Sequence, residues 1–404
     1  MKIQSLHPIT IVLLIASMPL AAASLDMFLP ALPTMVKEFC TTETTIHVSL
    51  SLNIVASAIF GFFSGILSDH FGRRRLFISA MFGFTVATYL CSLATNVTFF
   101  TMARTLQGAA SGVIFVMVTT ILSDVYTGVK KAQVLGIATF LFPVALGIAP
   151  FMGEKVYRHF GWPAVFICLA VVLLGVSAVL FFMLPETKEK ETSSLSLIKI
   201  FNDAKTILVK PAFFVNALIP SVFMGAFMAF IAYSPFIYIN YFGLAPASYV
   251  YYFITPLLFQ FIAGIAYQWI VKVLGVNKTL WCGIISASGA LIVMLGILMK
   301  ILPSNPVNTM IVMLFYNSAI PFILPIVMAK TFETFPTKAG TVSSLASVIR
   351  NIAMAVNIYT AGCVFNHTPF PILGVLSAGI ILFILLSLIS LKISKRTPLS
   401  NVNA

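Results

Sequence analysis

Hydrophobic positions along this chain run together instead of alternating. FICLAVVLLGVSAVLFFML (166–184) is typical. It stays apolar over roughly the 20 residues a helix needs to cross a bilayer core. A membrane β-barrel would alternate apolar and polar residues in segments of about ten. Runs of the first kind recur from end to end. They predict spans near 8–36, 47–67, 76–95, 98–121, 134–154, 163–184, 212–240, 249–271, 279–301, 307–329, 340–363 and 371–391. The chain is therefore read as an all-α polytopic membrane protein with 12 transmembrane helices.

Composition agrees. Of 404 residues, 60% are hydrophobic and 9% are charged, with a mean hydropathy of +1.04, whereas a soluble domain carries about 25% charged residues. The net charge of +13 reflects where the cations sit and does not point to nucleic acid. With the N-terminus inside, segments facing the cytoplasm hold eighteen of the 24 Lys and Arg: Lys2, Arg73, Arg74, Arg75, Lys130, Lys131, five in the middle loop, Lys272, Lys278, Lys330, Lys338, Lys392, Lys395 and Arg396. External loops hold Lys37, Lys155, Arg158 and Lys300. This asymmetry predicts that both termini are cytoplasmic. Arg104 and Arg350 fall inside spans. Cys40, Cys91, Cys168, Cys282 and Cys363 are scattered singly, without metal or redox spacing.

The first span has two readings. Lys2, an apolar run and Ala21, Ala22 and Ala23 outline a secretory signal. The apolar stretch continues to about Val36, past the roughly 7–15 residues of a signal core. It is read as a retained span, which makes Asp26 an intramembrane carboxylate. Glu154 and Asp124 are the other acids expected in or beside spans, and Asp26 lies deepest of the three.

The charged stretch 185–211 divides the spans six and six. FGRRR (71–75) after span two is echoed by LGVNK (274–278) after span eight, and LSDVY (122–126) after span four by TFETF (331–335) after span ten. The echo predicts two parallel six-helix repeats: a bundle over 1–184, a linker loop over 185–211, a second bundle over 212–391 and a tail over 392–404.

Local motifs carry the chemistry. GILSDHFGRRR (65–75) lies in the loop between spans two and three. Gly65 suits close helix approach and Gly72 a tight turn. Asp69 can pair with Arg73 or sit at a helix end, a contact suited to locking one conformation. In RTLQGAASG (104–112), Arg104, Gln107 and Ser111 share a helix face, with Gly108 and Gly112 forming a packing stripe beside it. These two stretches resemble the signature loop G-x-L-S/A-D-x-x-G-R-K/R and the span-four pattern R-x-x-Q-G of the major facilitator superfamily. DMFLPALP (26–33) and AGTVSSLAS (339–347) resemble stretches of its twelve-span drug:proton antiporters, most closely the Bcr/CflA group.

That resemblance implies the major facilitator fold, two six-helix repeats and alternating access. It implies proton-coupled efflux of small organic compounds, with a proton gradient and no cofactor. Asp26 is the expected proton-responsive group, because proton and substrate competing for one carboxylate would couple their movements, and Arg104 is its expected partner. Cargo-facing candidates are Gln107, Asn53, Tyr233, Tyr238, Asn317 and Arg350. Gating is assigned to Gly65, Asp69, Gly72, Arg73, Arg74, Pro150 and Glu154.

The sequence departs from the family at three places. GIAPFMGE (147–154) stands where the antiporters carry G-P-x-x-G-G, which keeps Pro150 but brings in Glu154. A second acid that some multidrug relatives carry two turns before Asp26 falls here near the apolar Met18. Arg350 matches no family motif. It has three readings: an anion-binding site, the counter-ion of a carboxylate, or a packing arginine satisfied by backbone carbonyls.

An importer of a nutrient or anionic metabolite on the same fold is the alternative function, and a non-transporting receptor would need no latch loop. No ATP-binding glycine loop, metal-ligand spacing or catalytic constellation is present in the sequence, so neither a primary pump nor an enzyme is expected. The expected partners are a small-molecule substrate, protons and the lipid bilayer, and not nucleic acid. The expected setting is a monomer in the inner (plasma) membrane.

Overall fold

Prolines, capping side chains and glycines mark several of the helix boundaries in this chain. In the computed structural model, residues 6–126, 128–187, 205–333 and 339–396 are described. Lys2, Lys338, most of the expected linker, the last two residues of TFETF and the end of the expected tail lie outside them. The helices are α1 (Pro8–Asp26), α2 (Leu32–Glu38), α3 (Glu43–Phe71), α4 (Arg73–Ser92), α5 (Val97–Val125), α6 (Gly128–Phe160), α7 (Trp162–Met183), α8 (Pro211–Pro235), α9 (Pro246–Leu298), α10 (Pro306–Glu333), α11 (Ala339–Val364) and α12 (Pro369–Arg396). Among the described residues, 11 stretches are long and apolar enough to cross a membrane. The 33-residue α6 supplies a further helix of spanning length. This is the all-helical, twelve-span architecture expected from the sequence.

Span one differs from the expectation of a continuous helix over 8–36. It ends as α1 at Asp26, turns through Met27 and Phe28, makes a 3-10 turn over Leu29–Ala31 and resumes as α2. Pro30 and Pro33 cannot donate backbone hydrogen bonds, and both sit in the first turn of the piece they open. Irregular backbone at membrane depth survives only when protein covers it. Phe28, Leu29, Ala31 and Leu32 are accordingly all buried.

Span two begins earlier than expected. Thr42 caps α3 by accepting the Thr45 amide at 3.2 Å, so Glu43 lies in its first turn. Glu43 is therefore another acid beside a span. Asn96 caps α5 in the same way, accepting the Phe99 amide at 2.9 Å. Three further joints are single glycines between helices: Gly72 (φ 89°, ψ 152°), Gly161 (φ 80°, ψ 171°) and Gly275 (φ 75°, ψ 167°). A positive φ with extended ψ is open essentially to glycine alone. Gly72 and Gly275 are the glycines of FGRRR and LGVNK, so the weak sequence echo marks the same backbone joint twice.

The contacts divide the chain into two compact units. The first comprises Met1–Leu195, Ala232–Ile254 and Ile358–Thr368. In it α5 packs along α3 and α4, α4 packs on α7, and α1 packs on α5, α6 and α7. Glycine sets how close these helices come. A Cβ on Gly108 would overlap the backbone of Asn53, one on Gly112 the backbone of Ser57, and one on Gly153 the carbonyl of Met27. The span-four packing stripe read from the sequence is therefore real, and its partner is α3. Gly65 differs: among the described residues a Cβ there meets nothing within 4 Å.

The first unit also carries an aromatic cluster. His47 of α3 stacks on Tyr233 (centroids 4.2 Å apart) and packs edge-on against Phe236, and Tyr233 packs on Phe365. Beyond Pro235 the backbone is π-helical over Phe236–Tyr241. The second unit comprises Ser196–Ile231, Thr255–Asn357 and Pro369–Ala404. Here the Tyr316 hydroxyl donates to the Phe223 carbonyl at 2.6 Å, with the two rings stacked, and Gly379 lies against Ala226.

Overpacking a glycine contact forces helices apart, at about 1–3 kcal/mol. Gly108→Val is expected to lower the thermal unfolding midpoint of the detergent-solubilised protein. Gly83→Ala, where a Cβ meets nothing within 4 Å among the described residues, is expected to leave it in place.

Candidate functional site

The break in span one creates the need that the site answers. Because the helix stops at Asp26, its last carbonyls lack their usual partners. The guanidinium of Arg104, on α5 and fully buried, supplies one. Its Nη1 donates to the Ser24 carbonyl at 3.1 Å and also to Gln107 Oε1. Its Cζ lies 4.9 Å from the centroid of the Phe28 ring. Gln107 Nε2 donates onward to Thr88 Oγ1 of α4 at 2.7 Å. Asn53 Nδ2 of α3 donates to the Arg104 carbonyl at 2.7 Å, beside the Gly108 contact.

An arginine at membrane depth costs roughly 2.5–3.5 kcal/mol on insertion scales. Hydrogen bonds to charged groups contribute about 1.5–3 kcal/mol each, and a desolvated cation–π contact about 2. Two such bonds and one ring contact offset part of that cost. Arg104 Nε and Nη2 have no hydrogen-bond partner among the described residues. Their charge is felt by Asp26, although no ion pair within 4.0 Å joins the two. Asp26 is 7% exposed, which leaves its oxygens a narrow contact with solvent. Tyr249 lies within electrostatic reach of it, with its hydroxyl 2.9 Å from Ser234 Oγ.

A second constellation surrounds the GILSDHFGRRR loop. Arg73 Nη1 pairs with Asp69 at 2.7 Å and bonds to Ser68 Oγ, while its Nε reaches Asp124 Oδ2 of α5 at 3.3 Å. Glu186, just beyond α7, accepts the Arg73 amide at 2.8 Å and the Arg74 amide at 3.2 Å. Its carboxylate thus caps the N-terminus of α4, where the helix dipole favours negative charge. A Cβ on Gly72 would lie 2.5 Å from Glu186 Oε2. Gly72 is therefore required twice, by its backbone angle and by this carboxylate. Arg74 Nη2 donates to the Phe181 carbonyl at 2.6 Å. The ends of α3, α4, α5 and α7 are bound together here.

The remaining candidates are spread more widely. Asp26, Arg104, Gln107 and Asn53 come together. Tyr233 lies in the His47 cluster, and Tyr238 packs on Tyr249 and Tyr252. Pro150 and Glu154 are buried on α6, with Glu154 3.7 Å from Arg158. Asn317 and Arg350 belong to the second unit. Asn317 Nδ2 donates to the Met313 carbonyl at 2.9 Å, and its Oδ1 is buried without a hydrogen-bond partner among the described residues. Ser24, Phe28, Thr88, Tyr249 and Glu186 were not singled out from the sequence. For Glu186 the available signal was an acid directly after the proline that ends span six.

A polytopic helical bundle with this intramembrane polar cluster and this charged loop has the build of a membrane transporter. The chain matches the Major Facilitator Superfamily over residues 14–357 and belongs to that family. It is 24% identical to a multidrug resistance protein MdtL of Shewanella sp. (strain ANA-3) over 380 residues, covering 92% of this chain and 93% of that one. It is 24% identical to a multidrug resistance protein MdtM of Salmonella typhimurium over 368 residues, covering 90% and 89%. Among solved structures it is similar to a peptide transporter POT (TM-score 0.78, 14% identity, 96% of each chain) and to a D-xylose–proton symporter (TM-score 0.69, 15% identity, 97% and 98%). At such identities these two likenesses speak to the fold.

Two outcomes follow for stability. Arg104→Met leaves the Ser24 carbonyl and the Gln107 amide short of a partner, at about 1–3 kcal/mol each. A lower unfolding midpoint is expected, with a smaller further loss on adding Thr88→Val than Thr88→Val gives alone. Glu186→Ala removes a helix cap worth about 1 kcal/mol, and faster trypsin cleavage at Arg73, Arg74 and Arg75 is the expected readout.

Proposed function

We propose that this protein is a secondary active transporter that exports small organic, drug-like compounds in exchange for protons by alternating access. We place it with the Bcr/CflA-like group of its superfamily. The observation that carries the reading is Asp26. It is a carboxylate buried where α1 ends, reached by no hydrogen bond or ion pair among the described residues, and under the influence of Arg104. Such a group gains or loses a proton without first breaking a bond to protein. Because it stands at a break in the helix, a small shift of α1 against α2 changes its access to water. Coupling then requires only that proton and cargo favour different conformations. That the MdtL and MdtM relatives are named multidrug resistance proteins supports export of drug-like compounds.

In this reading Gly65, Asp69, Gly72, Arg73 and Arg74, together with Asp124 and Glu186, form a latch that holds four helix ends in one conformation. Pro150 and Glu154 serve the same movement from α6. Gln107, Asn53, Tyr233, Tyr238, Asn317 and Arg350 are the cargo-facing set. The latch end of the bundle and both termini face the cytoplasm, the protein works as a monomer in the inner membrane, and a loop over 185–211 joins halves at 1–184 and 212–391 ahead of a tail at 392–404. The proton gradient is the energy source and no cofactor takes part.

The test is transport in proteoliposomes under an imposed pH gradient, with ethidium and carboxyfluorescein as cationic and anionic dyes. Wild type is expected to move dye against the proton flux, and Asp26→Asn to lose the response to the gradient. Unchanged gradient-driven transport by Asp26→Asn overturns the reading.

A further inference from the structure

Among the described residues no acid pairs with Arg350. It lies eleven residues from the start of α11 and fourteen from its end, about 16 and 21 Å along the axis. That is the middle of a membrane span. At about 100° per residue, the exposed apolar side chains Ile352, Val356 and Tyr359 lie roughly 180–240° round the helix from it. Ser343, Ser347 and Asn357 lie within about 60° of it. Arg350 and these three are all half-buried. Arg350 thus belongs to a polar stripe that faces away from the lipid-exposed side. Two turns along the same stripe, Ala353 and Asn357 pack on Gly225 of α8.

Two of the three readings of Arg350 do not survive. Between 211 and 396 the sequence has a single acid, Glu333 at the last position of α10. No spanning stretch of the second unit offers a counter-ion. Among the described residues no ion pair and no backbone carbonyl satisfies the guanidinium, whose one hydrogen bond is Nη2 to Ser347 Oγ at 3.4 Å. Arg104, by contrast, has two acceptors and an aromatic face, although its Nε and Nη2 have no hydrogen-bond partner among the described residues. Among the described residues Arg350 has neither the second acceptor nor the ring face. An intramembrane cation left open on a polar, half-buried face is a receptor for an anion.

We propose that Arg350 binds an acidic group of the transported compound, so that the cargo class is small organic anions. The inference rests on the transport reading above. The planar guanidinium meets a carboxylate or sulfonate through two parallel N–H donors. The Ser343 and Ser347 hydroxyls lie on the same stripe to complete the contact.

The test has two arms. Purified protein in detergent is titrated with carboxyfluorescein by fluorescence anisotropy, and proteoliposomes are assayed with carboxyfluorescein and with ethidium. Wild type is expected to bind and move carboxyfluorescein. Arg350→Gln should weaken binding at least about tenfold. Arg350→Lys, which keeps the charge and loses the two-donor fork, should fall between them. Equal affinity in wild type and Arg350→Gln overturns the proposal. So does a wild type that moves ethidium but neither binds nor moves carboxyfluorescein, and that result leaves the transport reading standing. Binding that depends on Arg350 without gradient-driven movement of either dye supports the anion site and overturns the transport reading.

Discussion

The contact between the Arg104 guanidinium and the Ser24 carbonyl is the one on which the first unit turns. A bilayer core offers no water to satisfy an interrupted helix, so span one can stop at Asp26 only if protein groups replace the missing hydrogen bonds. Arg104 supplies the donor, Phe28 supplies the ring face, and Gln107 and Thr88 hold the arginine in place. The same arrangement that makes the break tolerable brings a cation near the carboxylate at its edge. One group therefore both holds the interrupted helix and sets the electrostatics beside Asp26.

Glycine does the complementary work. At Gly108, Gly112 and Gly153 the absence of a side chain lets backbones meet, which fixes α3 and α6 against the Arg104 and Asp26 elements. At Gly72, Gly161 and Gly275 the positive φ lets one helix follow another with no loop between them. Such joints are short and stiff. At Gly72 the joint carries a carboxylate cap from beyond α7 and an ion pair across to α5. A movement of one helix end there is transmitted to three others.

Much of this was legible in the sequence, for identifiable reasons. Apolar runs of spanning length follow from hydropathy, which is a one-dimensional property. The span-four glycines were legible because helical spacing alone puts them on one face. The Asp69–Arg73 pair was legible because it is local, four residues apart. The break after Asp26 was not anticipated, although both of its prolines were in view: whether a proline bends or ends a membrane helix depends on what packs over it. Glu43 was placed outside its span because the run of apolar residues starts later than the Thr42 cap. Glu186 was read as part of a linker, since its partner amides lie more than a hundred residues earlier.

Sequence by itself determined the class, the apolar runs of spanning length, the family motifs and which charges fall inside those runs. It did so because the bilayer taxes each apolar or charged residue according to position along the chain, with little regard to neighbours. Only the tertiary structure decided what those charges do. Arg104 and Arg350 look alike in sequence, each a lone arginine inside an apolar run. Folding gives Arg104 a helix end to hold and leaves Arg350 on an open polar face, because hydrogen-bond partners are set by which helices meet.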